Sequence, residues 1–246
     1  MMRAYGLGLF ACVSAFAIAQ DPAAVKSEGK KGEVVPSPFR AYMVVDNRYP
    51  PKVAGSTKPE DRHPNDTTNK MHDLVSEHGL NPVVAVFIGK DAKAAAGGGV
   101  AKLATELNKL MTIPDYRGNK LASFVLFFRV QGKPETVTVT NPDKSESKVE
   151  LDAEYPFDEN RLTYETEVRN FASDVKTPNV VFGLAPEKSK PAAAWSILPE
   201  DKVTVVFFNR IRIVDRWTFD ENGPTDEQIK TILATVEQSV LGTKKP

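Results

Sequence analysis

Seven apolar residues in a row, Pro82-Val83-Val84-Ala85-Val86-Phe87-Ile88, run without a polar side chain until Gly89. A strand with one wet face alternates in character, so an unbroken β-branched run belongs to a strand covered on both faces. Residues 121–130 repeat the pattern around Phe124-Val125-Leu126-Phe127-Phe128, and residues 179–184 supply a third such strand. Between the first two runs, Val100, Leu103, Ala104, Leu107, Leu110 and Met111 keep a helical spacing that Pro114 ends. The chain is therefore predicted to be α/β, a mixed sheet with helices on both faces.

The remaining elements fit that frame. Residues 39–45 read as a first strand, and residues 46–70, with Pro50, Pro51, Pro59 and Pro64, as a long polar loop, either a flexible insertion or a functional one. Thr136-Val137-Thr138-Val139-Thr140 alternates, Asn141-Pro142-Asp143-Lys144 is turn chemistry, and residues 148–151 return as an inserted, solvent-facing hairpin. A helix is expected over residues 161–175, with Tyr164, Val168, Phe171, Ala172 and Val175 on one face. Two strands, residues 203–208 and 211–219, are joined by Asn209-Arg210, a connection short enough to force an antiparallel pair. Thr225 and Gln228 form a capping-box pattern at the start of a closing helix whose stripe is Ile229, Ile232, Leu233, Val236 and Val240.

This order of elements resembles the thioredoxin-like fold over roughly residues 82–241. Residues 203–219 look like that family's last two strands, and residues 225–241 like its terminal helix. The resemblance implies a three-layer sandwich carrying an inserted β-hairpin. Where family members carry Cys-x-x-Cys, two segments qualify here: Lys90-Asp91-Ala92-Lys93, and the stretch Met71-His72-Asp73-Leu74-Val75-Ser76. Some exported thioredoxin-like sequences are similar in the second, with cysteines where Asp73 and Ser76 stand. The resemblance thus makes Asp73 and Ser76 degenerate redox-motif positions, on the active-site face and next to the N-terminal end of strand 83–88 or the loops beside it. An aspartate and a serine cannot replace a thiolate in disulfide exchange, so the family's activity does not carry over.

The sequence has one cysteine, Cys12, inside a segment with Arg3, an apolar stretch from Ala4 to Ala19 and small residues at Ala17 and Ala19. These features describe a secretory signal cut before Gln20, with lipid attachment at Cys12 through Leu9-Phe10-Ala11-Cys12 as the alternative. The expected plan is a signal peptide over residues 1–19, a disordered leader over 20–38, an N-terminal strand and polar loop over 39–81, and the thioredoxin-like domain over 82–241. About 225 residues would remain, free of thiols, in the periplasm or secreted, with no integral membrane segment after cleavage. Lys+Arg and Asp+Glu are equal at 32 each, so no global field favours nucleic acid.

Candidate ligand groups are few. His63, His72 and His78 fall close together near Asp66, Asp73 and Glu77, a weak metal candidate, because the spacing from His72 to His78 does not stack on a helix. Gly97-Gly98-Gly99 precedes a helix but matches no phosphate-loop fingerprint. Trp195, beside Pro191, reads as a surface aromatic suited to binding, along with His72 and His78; Trp217 reads as core. Arg210, Arg212 and Arg216 read as a charged, water-facing sheet edge. No cofactor is expected. The function expected is a redox-inactive, exported binding module for a protein or peptide partner. The alternatives are a metal enzyme built on His63, His72 and His78, or a structural envelope protein.

Overall fold

The computed structural model describes residues 31–242, apart from 37, 54, 55, 57, 91, 131–134, 141, 142, 152–159, 187, 188 and 199. The expected signal segment with Cys12, and residues 20–30 of the leader, lie outside the described residues. In chain order the elements are β1 (Arg40–Asp46), β2 (Lys70–Asp73), α1 (Leu74–His78), β3 (Val83–Ile88), α2 (Gly99–Thr112), α3 (Pro114–Gly118), β4 (Ala122–Val130), β5 (Glu135–Thr140), β6 (Glu146–Leu151), α4 (Asn160–Val175), β7 (Val180–Pro186), α5 (Lys190–Ala194), β8 (Val203–Asn209), β9 (Arg212–Phe219) and α6 (Asp226–Leu241).

Seven strands form one sheet in the order β2-β1-β7-β4-β3-β8-β9, and β5-β6 form a separate hairpin. The three apolar runs are its centre. β3 pairs in parallel with β4, and β4 with β7, each crossover being made through a helix. β8 lies antiparallel on the other side of β3, and β9 follows it.

The two faces are covered differently. Val84, Val86 and Ile88 face Leu103 and Leu107 of α2, Val168 and Phe171 of α4, and Ile229, Ile232 and Val236 of α6. Val83, Ala85 and Phe87 face the other way, under only the five-residue helices α1 and α5. Aromatic side chains fill what short helices leave open. The Phe39 ring lies 5.4 Å from that of Phe87 and 6.0 Å from that of Trp195, and Trp195 is 5.8 Å from Phe208. Edge-on and tilted contacts of this kind add to plain burial.

Several expectations change. Trp195 is not a surface aromatic: it is 1% exposed and seals the second face, because the turn of α5 aims it inward. Arg216 is buried rather than water-facing, and Trp217 is core as expected. The β8–β9 turn is Arg210-Ile211, one residue later than expected, since Asn209 pairs with Arg212. Residues 32–35 are not a free leader. Gly32 and Val35 donate to the carbonyls of Ile213 and Ile211 at 2.7 and 2.9 Å, so this stretch adds to the outer edge of β9. The long polar loop is pinned too, by Asn69 N–H on the Met43 carbonyl at 2.7 Å and by Lys52 N–H on that of Asp61 at 2.7 Å. The capping box at Thr225 and Gln228 is present as expected.

Replacing Phe39 with Ala should test how much the second face depends on this cluster. A loss of about 3–5 kcal/mol in urea unfolding is expected, the range for removing a buried phenyl ring; a change under about 1 kcal/mol would show that the face collapses around the gap.

Candidate functional site

In open α/β sheets, ligands gather outside the carboxyl ends of the parallel strands. Here that edge holds the ends of β3, β4 and β7. Asp73 lies at the same edge, because it pairs with Arg40 while Tyr42 pairs with Leu184 near the end of β7. The expected position beside the N-terminal end of β3 is thus corrected. β2 runs parallel to β3 and is separated from it by β1, β7 and β4, roughly 19 Å at the usual strand spacing.

Asp73 and Ser76 occupy the first turn of α1. Asp73 is the N-cap: its Oδ1 accepts from Val75 N–H at 3.1 Å and from Phe39 N–H at 2.9 Å, and Ser76 Oγ donates to Oδ2. The carboxylate therefore ties the entry of β1 to the start of α1, and Leu74 and Val75 go into the core.

Helix α1 ends in an ion network that the sequence did not announce. Asp46 is buried and receives Arg48 Nε and a second guanidinium nitrogen at 2.8 and 2.9 Å, with Thr67 Oγ1 at 2.7 Å. Burial alone would raise the Asp46 pKa, but Arg48 and Thr67 hold it below the ordinary carboxylate value. Arg48 also donates to Glu77 at 2.9 Å, and Glu77 meets His72 Nε2 at 2.9 Å. A buried ion pair is expensive unless its lone pairs are filled, and these are.

The three histidines do not converge. His72 sits on β2 against Glu77, whereas His63 stacks on Tyr49 at 5.0 Å and accepts from Asn65 N–H through Nδ1 at 3.1 Å. His78 Nε2 is shut away from water without a partner. Among the described residues no group of three or more His, Cys, Asp or Glu side chains is placed to hold a metal.

The other candidate segment, the loop from β3 to α2, is closed by backbone. Gly89 donates to the Lys202 carbonyl at 2.7 Å, and a Cβ there would lie 2.6 Å from the Asp201 carbonyl oxygen. Ala92 turns inward, and Lys93 N–H bonds the Glu221 carbonyl at 2.8 Å while its ammonium meets the Glu221 carboxylate. Gly99 lies so close to Gly223 and Pro224 that a Cβ would overlap the Pro224 carbonyl at 2.1 Å. Behind the loop, buried Arg129 donates to the Gly89 carbonyl at 2.6 Å and pairs with Glu167 at 2.9 Å. Beyond it, α2 and α6 frame a groove of about 490 Å³, with Ala101, Ile229 and Leu233 as floor and Lys102, Glu106 and Asp226 on the rim.

This fold has counterparts among solved structures. AhpC of Mycobacterium bovis superposes with a TM-score of 0.51 at 10% identity, over 89% of this chain and 95% of that one. AhpC of Mycobacterium tuberculosis gives 0.50 at 10%, over 88% and 96%. The chain has a thioredoxin-like fold. An exposed lipoprotein thioredoxin of Streptococcus pneumoniae is also similar, with a TM-score of 0.43 at 10% identity, over 82% of this chain and 99% of that one. No family model and no curated protein matches the sequence. The single cysteine of this chain, Cys12, precludes a Cys-x-x-Cys pair.

His78 gives the site a pH signature. Burial pushes its pKa down to about 4, so the fold favours the neutral ring. The stabilisation is complete above the unfolded value near pH 6.5 and is lost as pH falls toward 4, by about 3 kcal/mol at most. Urea midpoints measured from pH 7 to 4.5 should fall, and His78→Leu should flatten that slope; an equal slope in the variant would place the titration elsewhere.

Proposed function

We propose that this chain is an exported, non-catalytic binding module that uses a thioredoxin-like fold without redox chemistry, and that it takes a protein or peptide partner. The observation that carries the reading is the closed loop between β3 and α2. A segment that could have presented a nucleophile at the carboxyl edge is instead bonded by backbone to residues 202, 221 and 222. Disulfide exchange needs a thiolate, and the chain after residue 12 has no sulfur nucleophile. The groove between α2 and α6 offers a floor of aliphatic side chains with both signs of charge on its rim, which suits an extended peptide better than a small metabolite. Export rests on the signal-like residues 1–19, and Asp73 and Ser76 serve in this reading as a helix cap in place of a redox pair. No helix among the described residues is long and apolar enough to cross a membrane.

Three measurements test the reading. Insulin-reduction and peroxide-consumption assays should stay at background, and turnover above it would overturn the non-catalytic assignment. A photo-crosslinker at Thr105, in the groove, should capture a partner from the exported proteome that one at Lys148, on the hairpin, does not. Asp73→Cys with Ser76→Cys should give an intramolecular disulfide under mild oxidation, at about 1 kcal/mol cost for the lost cap; persistently free thiols would remove the redox-relic reading of that turn.

A further inference from the structure

At the amino end of β3, opposite the carboxyl edge, the β8–β9 turn carries Arg210-Ile211 with φ of +51° and +53°. A two-residue turn of type I′ has positive φ at both central positions, and glycine or asparagine satisfies this cheaply. Isoleucine does not, because its branched Cβ crowds the carbonyl in the left-handed region. This turn therefore keeps a strained aliphatic residue where the fold would prefer glycine, and it displays that residue to water.

Ile211 has company. Arg210 N–H donates to the Leu80 carbonyl at 3.2 Å, Val35 N–H donates to the Ile211 carbonyl at 2.9 Å, and Val34 bridges to Arg212. These bonds gather Val34, Leu80 and Ile211 at one end of the sheet, and the three are 53%, 66% and 39% exposed. Arg210 and Arg212 flank Ile211 and are both exposed. Asp215 is paired with Lys31 at 3.6 Å, and the Glu33 carbonyl accepts from Ile213 N–H at 2.9 Å.

We propose that this corner is a membrane-docking tip that inserts Ile211, Leu80 and Val34 into the interface of an anionic bilayer. A hairpin turn offers no cradle for a peptide, but its exposed residues can enter the headgroup layer. Aliphatic residues flanked by arginines suit that depth, the arginine stems lying along the apolar zone while the guanidinium groups meet lipid phosphates. Docking here leaves the carboxyl edge of the sheet pointing away from the membrane, so this inference stands apart from the proposed partner site.

The test is co-sedimentation of the chain from Gln20 onward, which contains every described contact, with vesicles of phosphatidylglycerol and phosphatidylcholine or of phosphatidylcholine alone. Binding should favour the anionic vesicles and weaken with salt. Ile211→Gly should reduce the bound fraction about tenfold while raising the melting temperature, because glycine relieves the strained turn. Leu80→Ser should weaken binding with an unchanged fold, and Arg210→Gln with Arg212→Gln should flatten the salt dependence. The proposal is overturned if wild type and Ile211→Gly bind vesicles alike. It is also overturned if an immobilised acidic peptide retains the chain and no vesicle does.

Discussion

Strands β3, β4 and β7 have no wet side, and that requirement organises everything around them. One face is met in the ordinary way, by three helices long enough to lay an apolar stripe across the sheet. The other receives two helices of a turn or so, which cannot cover it alone. Phe39 reaches it from the segment entering β1, and Trp195 from the end of α5. The Trp195 carbonyl is then held by Arg216, which also binds the Ser196 carbonyl at 2.5 Å and Asp201 at 3.3 Å. A buried guanidinium is costly, and burial lowers its pKa. Its cost is offset by fixing the loop that carries the aromatic lid.

Polar residues of the catalytic type are thus largely committed to architecture. Asp73 caps α1 and receives the Phe39 amide. Arg48 joins β1 to α1 through Asp46 and Glu77. Arg129 links the end of β4 to α4 and to the loop after β3. Each has the residue type of a catalytic group, yet each has its hydrogen bonds filled by neighbouring protein. A group so engaged holds position well and has little capacity left for a substrate.

What was legible in the sequence follows from length and period. The apolar runs, the stripe of α2 and the capping box of α6 were readable because each repeats its signal over several residues. The short elements β2, α1, α3 and α5 were not. Four or five residues carry too little periodicity, and such pieces are stabilised by what they touch rather than by their own propensity. Trp195 was misplaced for that reason: a Pro-Ala-Ala-Ala stretch reads as loop until the turn of α5 directs its last side chain inward. Arg216 alternated with its neighbours as an edge residue would, and only the carbonyls of residues 195 and 196 explain its burial. The Asp46–Arg48–Glu77 network was hidden because Arg48 and Glu77 are 29 residues apart.

The strand-like pairing of residues 32–35 with β9 bears on how the chain reaches this structure. The bond between Arg212 and the Gly32 carbonyl joins positions 180 residues apart. Closing so long a loop yields few contacts for the entropy it removes, so it belongs late in folding, after β8 and β9 have found β3. A chain that emerges from its N-terminus onward would hold residues 32–35 and Phe39 in waiting until nearly all the rest was made. The second face would stay without its full lid for that interval. Completion of the fold is in this way timed to the delivery of the last strand, and a chain truncated before β9 would have no edge on which to seat its own beginning.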